Sequence, residues 1–235
     1  MTNNSVLKLR IQELAKSTRE FKTRGSRVIR CELCLLRKVD CICAARPVAM
    51  GNSAFCFILY KSEVYKPSNT GRLIADVIAD NHAFLWDRTR PDPQLLALLA
   101  NDKYAPVLLF PHQYAEAERC IHHLNEVPTT KAGRIPLYVM LDGTWREAKK
   151  MFKSPYLAAL PVLSIQPQQA SAYLLRDGAH AHQLCTAEIA IEVLKLTEDS
   201  AAAAALADYF ALFCRNYIAI KPYALEKIKL RAGIE

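Results

Sequence analysis

Apolar residues along the chain fall into two patterns, and the alternation between them predicts the architecture. Wholly apolar runs of strand length occur at residues 55–60, 83–86, 106–110, 137–141 and 162–165. Between them lie stretches of helical character at 73–79, 94–100, 114–124 and 144–152, and two more follow at 186–196 and 201–217. Short strands that are apolar on both faces and alternate with helices build a parallel sheet covered on both sides. The expected fold is therefore α/β, a parallel sheet with helices on both faces, over residues 51–235. Ligands of such sheets bind beyond the carboxyl ends of the strands, so the strand-to-helix junctions are the places to look for chemistry. There is no internal repeat, and the alanine run at 201–205 is a helix-forming stretch. Ahead of the sheet, residues 5–24 place Val6, Leu9, Ile11, Leu14 and Phe21 among basic residues. They read as a basic, weakly amphipathic helix or arm.

Composition supports a packed core. Of 235 residues 51% are hydrophobic and only seven are glycine, which excludes disorder over most of the length. No apolar run approaches the roughly 20 residues that span a bilayer. The first residues lack the apolar segment of a secretory signal. A soluble, cytoplasmic protein is expected. The net charge of +8 is gathered at the two ends. Residues 1–46 hold eleven Lys/Arg against four Asp/Glu, a net of +7, and residues 215–231 hold five against one, a net of +4. Charge so confined suits a polyanion. Nucleic acid is the leading partner, ahead of an anionic membrane, because no strong hydrophobic face accompanies the charges.

Four of the eight cysteines lie within thirteen residues, as Cys31-x2-Cys34-x6-Cys41-x-Cys43. Thiolates at this density in a reducing compartment favour one structural Zn²⁺; unligated thiols and an iron–sulfur cluster are the alternatives. Four sulfurs leave such an ion no open position. The flanking Arg27, Arg30, Arg37, Lys38 and Arg46 would make the cluster a small basic knuckle suited to RNA. Cys56, Cys120 and Cys214 stand among apolar neighbours and read as small buried hydrophobes.

Three junctions gather polar residues. After the first strand, Lys66 and Pro67 lead into Ser68, Asn69, Thr70, Gly71 and Arg72, a turn that exposes backbone N–H groups and caps the next helix. It is either an ordinary capped turn or a seat for a carboxylate or phosphate. The strand at 137–141 runs into Asp142, Gly143, Thr144 and Trp145, then a helix bearing Lys149 and Lys150. Thr144 and Glu147 form a capping box, which leaves Asp142 and Trp145 for a ligand: a carboxylate at a strand end, and a ring on which a base could stack. The third is Leu184, Cys185, Thr186 and Glu188, with Thr186 as the expected N-cap of a helix; Tyr173 and Arg176 lie in the polar loop before it. Cys185 has no spaced base that would make it a nucleophile.

Taken together, KPSNTGRLIAD, MLDGTWREAKKMF, LCTAEIA and the four-cysteine cluster resemble the DTW-domain family, named for the Asp–Thr–Trp signature found here at 142–145. The resemblance runs from about residue 31 to the C-terminus. It implies a SPOUT-like sheet with a C-terminal trefoil knot, a topology that periodicity cannot show. It also implies that S-adenosylmethionine donates its 3-amino-3-carboxypropyl group to N3 of a variable-loop uridine in tRNA. By position, Ser68 to Arg72, the strand end Leu109, Phe110 and Pro111, the Asp142 to Trp145 junction, and Leu184, Cys185, Thr186 and Glu188 would line the cofactor pocket. Asp142 is then the expected proton acceptor, Arg72 or Arg176 the partner of the cofactor carboxylate, and Lys149, Lys150 and the knuckle the RNA contacts. Tyr60 and Lys61 are given no role. Two other readings stay open: a SPOUT-like RNA methyltransferase, and a zinc-containing RNA-binding protein without catalysis. A Rossmann methyltransferase is disfavoured, since no glycine-rich loop follows the first strand.

Overall fold

The computed structural model describes residues 3–18, 28–123, 126, 133–165, 184–197 and 199–218. Six strands form one wholly parallel sheet: β1 (Met50–Leu59), β2 (Ile78–Leu85), β3 (Tyr104–Leu109), β4 (Cys120–Ile121), β5 (Ile135–Asp142) and β6 (Val162–Leu163), in the order β2-β1-β5-β3-β6-β4. The late strand β5 inserts between β1 and β3, setting Asp142 opposite Leu59 and Leu108 opposite Val139. The carboxyl ends of β1, β5 and β3 therefore lie side by side.

Alternation along the strands sorts the core into two layers. Phe55, Phe57 and Leu59 of β1, with Tyr138 and Met140 of β5, pack against α1 (Ser5–Ala15), α2 (Gly71–Val77), α5 (Thr186–Lys195) and α6 (Ser200–Ile218). Ala54, Cys56 and Ile58, with Leu137 and Val139, face α3 (Pro93–Leu99) and α4 (Trp145–Phe152). Every residue from Ser53 to Leu59 is buried. That two-sided burial is why the strand reads as a continuous apolar run.

Five strands and five of the six helices expected after residue 50 are present. Residues 114–124 are not a helix: short 3-10 turns at His112–Tyr114 and Ala117–Arg119 lead into the two-residue strand β4. Tertiary bonds override the helical pattern there. Arg119 donates from Nε to Leu160 O (3.0 Å) and from Nη2 to Leu157 O (2.9 Å), and Ile121 pairs with Leu163.

The N-terminal segment is not a loose arm within its described part. Asn4 caps α1 by accepting from Leu7 N (2.9 Å), while its amide donates to Arg72 O and to Asp76 Oδ1, both at 2.8 Å. Val6 joins the same core as Cys34, Leu36 and Ile42 of the cysteine segment. Phe21 and Arg27 lie outside the described residues.

Candidate functional site

Asp142, the last residue of β5, is the point where the junctions meet. Its side chain is on the layer of α2 and α5 and is buried. Asn69 Nδ2 donates to Asp142 Oδ2 (2.8 Å) and Thr186 Oγ1 to Asp142 Oδ1 (3.3 Å). Asn69 Oδ1 accepts from Arg72 N (3.1 Å), and Thr70 Oγ1 accepts from Ala187 N (3.3 Å). Thr70 is thus spent on the other turn and Thr186 on the acid, while Asn69 serves both the acid and its own helix. Thr186 was expected to cap α5; the N-cap is Cys185, whose N–H donates to Glu188 Oε2 (2.7 Å), and the threonine hydroxyl goes to Asp142 instead. Glycine is required at 71, because a Cβ there would stand 2.7 Å from Asp142 Oδ2. Side chains at the starts of two helices converge on one carboxylate.

The signature is divided between the two faces of the sheet. While Asp142 faces α2 and α5, the ring of Trp145 lies on the opposite layer, stacked on Phe110 (5.4 Å between centroids, 15° between planes) and edge-on to Tyr114 (5.6 Å). Phe110 also turns to that layer, whereas Leu109 packs on the side of Asp142. Thr144 and Glu147 form the expected capping box at the start of α4. Ser68 is half-buried next to Asn69, Leu184 is half-buried, and Pro111 follows Phe110 beside the end of β5. Cys185 is buried, and burial pushes its thiol well above the ordinary range, which makes it a poor nucleophile.

Arg72 takes a different place from the one expected. Its side chain is 1% exposed and turned inward, with Nη1 4.0 Å from Asp76 Oδ2 and the guanidinium 5.6 Å from the Phe213 ring. None of its guanidinium nitrogens has a hydrogen-bond partner among the described residues. Arg46 also turns inward, Nε 3.3 Å from Asp76 Oδ1. Tyr209 donates to Asp76 Oδ2 (3.3 Å), and burial followed by the Asp76 charge raises its phenol. Arg176 and Tyr173 lie outside the described residues.

Cys31, Cys34, Cys41 and Cys43 come together with all four sulfurs within 4.8 Å of one another. Cys31 Sγ is 3.6 Å from Cys43 Sγ, and Cys34 Sγ is 3.7 Å from Cys41 Sγ. A tetrahedral ion with bonds of ~2.3 Å needs sulfurs about 3.8 Å apart, a spacing that these two pairs already have, so the set suits Zn²⁺. The loop is pinned by Cys31 N to Leu36 O (2.8 Å) and turns through Leu35 at φ 57°, a left-handed conformation that costs a non-glycine residue of order 1 kcal/mol. Burial opposes ionisation of Cys31, but the N–H groups of Cys34 and Leu33 and the neighbouring thiols outweigh it, lowering this thiol to about 6. Of the flanking cations, Arg30 donates to Leu35 O (3.0 Å), Arg37 pairs with Asp40, and Lys38 is exposed.

A match to the DTW domain extends over residues 28–218, most of the chain and all of the junctions above. The chain belongs to the DTW-domain family. This family is known for tRNA modification. No solved structure matches this DTW protein. Its described residues contain no helix long and apolar enough to cross a membrane.

The pattern of residues left several side chains of this edge unmarked. Tyr60 and Trp86 follow β1 and β2 directly and stack on each other (5.5 Å, 22°). Asp76 gathers two arginines. His112 Nε2 lies 3.1 Å from Val162 O and 3.2 Å from Ser164 N at the ends of β3 and β6. The available signal for the first pair was that both apolar runs end on an aromatic residue at the ligand-binding edge.

Proposed function

We propose that this DTW protein is a cytoplasmic tRNA-uridine aminocarboxypropyltransferase that uses S-adenosylmethionine. The observation that carries the reading is the convergence on Asp142 of the 68–72 and 184–188 segments, in a chain of this family. Two helix starts and two polar turns are gathered at one strand end, the place where open α/β sheets take their ligands. Ser68, Asn69, Thr70, Gly71, Leu109, Gly143, Thr144, Leu184, Cys185, Thr186 and Glu188 would hold the cofactor within a SPOUT-like fold. Residues 166–183 lie outside the described residues.

When bound, the cofactor supplies an electrophilic carbon on a positively charged sulfur that departs as methylthioadenosine. Asp142 would accept the N3 proton of the uridine that takes up the transferred group. A positioned base of this kind is worth ~10²–10⁴ in rate. Each carboxylate oxygen accepts a hydrogen bond, from Asn69 or Thr186, and has a second lone pair with which the uridine N–H could be received. The cysteine segment holds a structural Zn²⁺ and needs no part in the chemistry, because the sulfonium is already a good leaving group. Arg30, Lys38, Lys149 and Lys150 would neutralise tRNA phosphates.

Nucleoside mass spectrometry of tRNA incubated with the protein and S-adenosylmethionine tests the reading. Aminocarboxypropyluridine with methylthioadenosine is expected; a methylated base with S-adenosylhomocysteine would make the protein a methyltransferase, and unchanged tRNA would refute transfer. The burial of Asp142 favours a second role, a clamp between the turns, and Asp142→Asn separates the two. As base, the variant loses turnover and keeps cofactor affinity within a few-fold; as clamp alone, it loses affinity and thermal stability together.

A further inference from the structure

The layer opposite the Asp142 carboxylate carries a feature that cofactor binding does not require. Across the carboxyl ends of four adjacent strands runs a row of rings: Trp86 after β2, Tyr60 after β1, then Trp145 beyond β5 stacked on Phe110 after β3. They form two groups, one on each side of the Asp142–Gly143 turn. Tyr60 belongs to that turn, since its N–H donates to Asp142 O (2.8 Å) and a Cβ on Gly143 would touch Tyr60 Cβ at 3.3 Å. The two groups are about two strand spacings apart, or ~10 Å.

Each group bears a lysine. Lys150 Nζ is 5.5 Å from the Trp86 ring centroid, and Lys149 Nζ is 5.8 Å from Tyr114 and 6.0 Å from Trp145. Lysines in the last turn of α4 suit the helix dipole, but the dipole does not account for half-exposed tryptophans beneath them. The 145–153 stretch is strongly basic: Arg146, Lys149, Lys150 and Lys153 are opposed within it by one acid, Glu147, which is bound to Thr144 N and Oγ1 (both 2.7 Å). Trp86 is also fixed in orientation, its Nε1 donating to the buried Ser154 Oγ (2.9 Å). Each lysine ammonium lies over a ring, where an incoming base could take its place on the ring and leave the cation to a phosphate. Oriented rings with such cations close by are what stacks nucleobases and neutralises the phosphates between them.

We propose that this row is a stacking platform for unpaired tRNA nucleotides next to the one modified, with Trp86 and Trp145 as its two stations. The inference rests on tRNA being the substrate. It adds that the RNA strand crosses the sheet edge, target on the Asp142 side and neighbours on the α4 side.

The protein has only two tryptophans, Trp86 and Trp145, so its tryptophan emission, excited where tyrosine does not absorb, reports on the platform alone. Titrating the full-length protein with tRNA should quench that emission, and the single-tryptophan variants W86F and W145F should each retain a quenched component. Trp86→Ala should weaken tRNA binding about 5- to 150-fold, the range expected for one stacked base, with Trp86→Phe restoring most of it. S-adenosylmethionine affinity in calorimetry should not move in either Trp86 variant. Lys150→Ala should lower the salt slope of tRNA binding by about 1. Tight tRNA binding with both tryptophans unquenched, or Trp86→Ala binding tRNA as the parent does, would overturn the platform and leave the transferase reading standing. Absence of tRNA binding would overturn both.

Discussion

At the scale of single residues, the site depends on how close Gly71 comes to Asp142. A methyl group at 71 would stand 2.7 Å from Asp142 Oδ2, and that oxygen is not free to move away because Asn69 holds it at 2.8 Å. Helix propensity alone would make alanine neutral or favourable at this position, so the sign of the effect is informative. Gly71→Ala should displace the carboxylate and break a hydrogen bond to a charged group, worth ~1.5–3 kcal/mol. The expected result in calorimetry is at least a tenfold loss of S-adenosylmethionine affinity. Unchanged affinity would show that the carboxylate yields without consequence. The sequence made Asp142 and Gly71 visible as a strand-end acid and a turn glycine, but not as neighbours, since 71 positions separate them. Thr186 was misread for a related reason. A threonine at a helix start looks like its own cap, and only the fold reveals that its hydroxyl is drawn to an acid on another strand.

Among the elements, Asp76 of α2 ties four pieces together. Asn4 before α1, Arg46 after the cysteine segment, Arg72 one turn back and Tyr209 of α6 all address its carboxylate. Removing one partner of a buried ionic group leaves the others uncompensated and costs ~3–5 kcal/mol. Asp76→Ala should therefore destabilise the protein by about that much in urea unfolding. Asp76→Asn should recover little, because the charge on two inward-facing guanidinium groups remains unanswered. A loss below ~1 kcal/mol would mean that other groups neutralise them. Part of this cluster was legible, for Arg72 and Asp76 stand at helical i,i+4 spacing. Its inward orientation was not, because an apolar-face pattern does not say where a long cationic stem ends. Helix and strand identities were largely readable where burial is two-sided. Reading failed at 114–124, where the periodic residues are bound to the 157–160 stretch and β6 instead of to a helical turn.

For the whole molecule, the decisive question is whether the cysteine segment is an appendage or part of the core. The sequence suggested a division near residue 50, with a knuckle on one side and the sheet on the other. The packing joins them: Cys34, Leu36 and Ile42 are buried in one cluster with Leu73 and Val77 of α2, Ala187 and Val193 of α5, and Leu206 and Phe213 of α6. Asn216 of α6 donates to Asp40 O (3.0 Å), and Arg46 reaches Asp76. Four thiolates around one Zn²⁺ carry a net charge of −2, and without the ion only weak contacts between the sulfurs at 3.6 and 3.7 Å remain to hold the loop together. Structural zinc binds with an apparent ~10–16 kcal/mol at neutral pH, comparable to the ~5–15 kcal/mol stability of an entire domain. Removal of the ion should therefore melt more than the knuckle. The purified protein is expected to contain one zinc per chain by elemental analysis. A strong chelator should lower the melting temperature of the whole cooperative transition and weaken S-adenosylmethionine binding, because α2 and α5 rest on the same core. If the chelated protein, or Cys34→Ser, keeps the parent's single transition and cofactor affinity, the segment is an independent module and its burial against α2, α5 and α6 contributes little to the site.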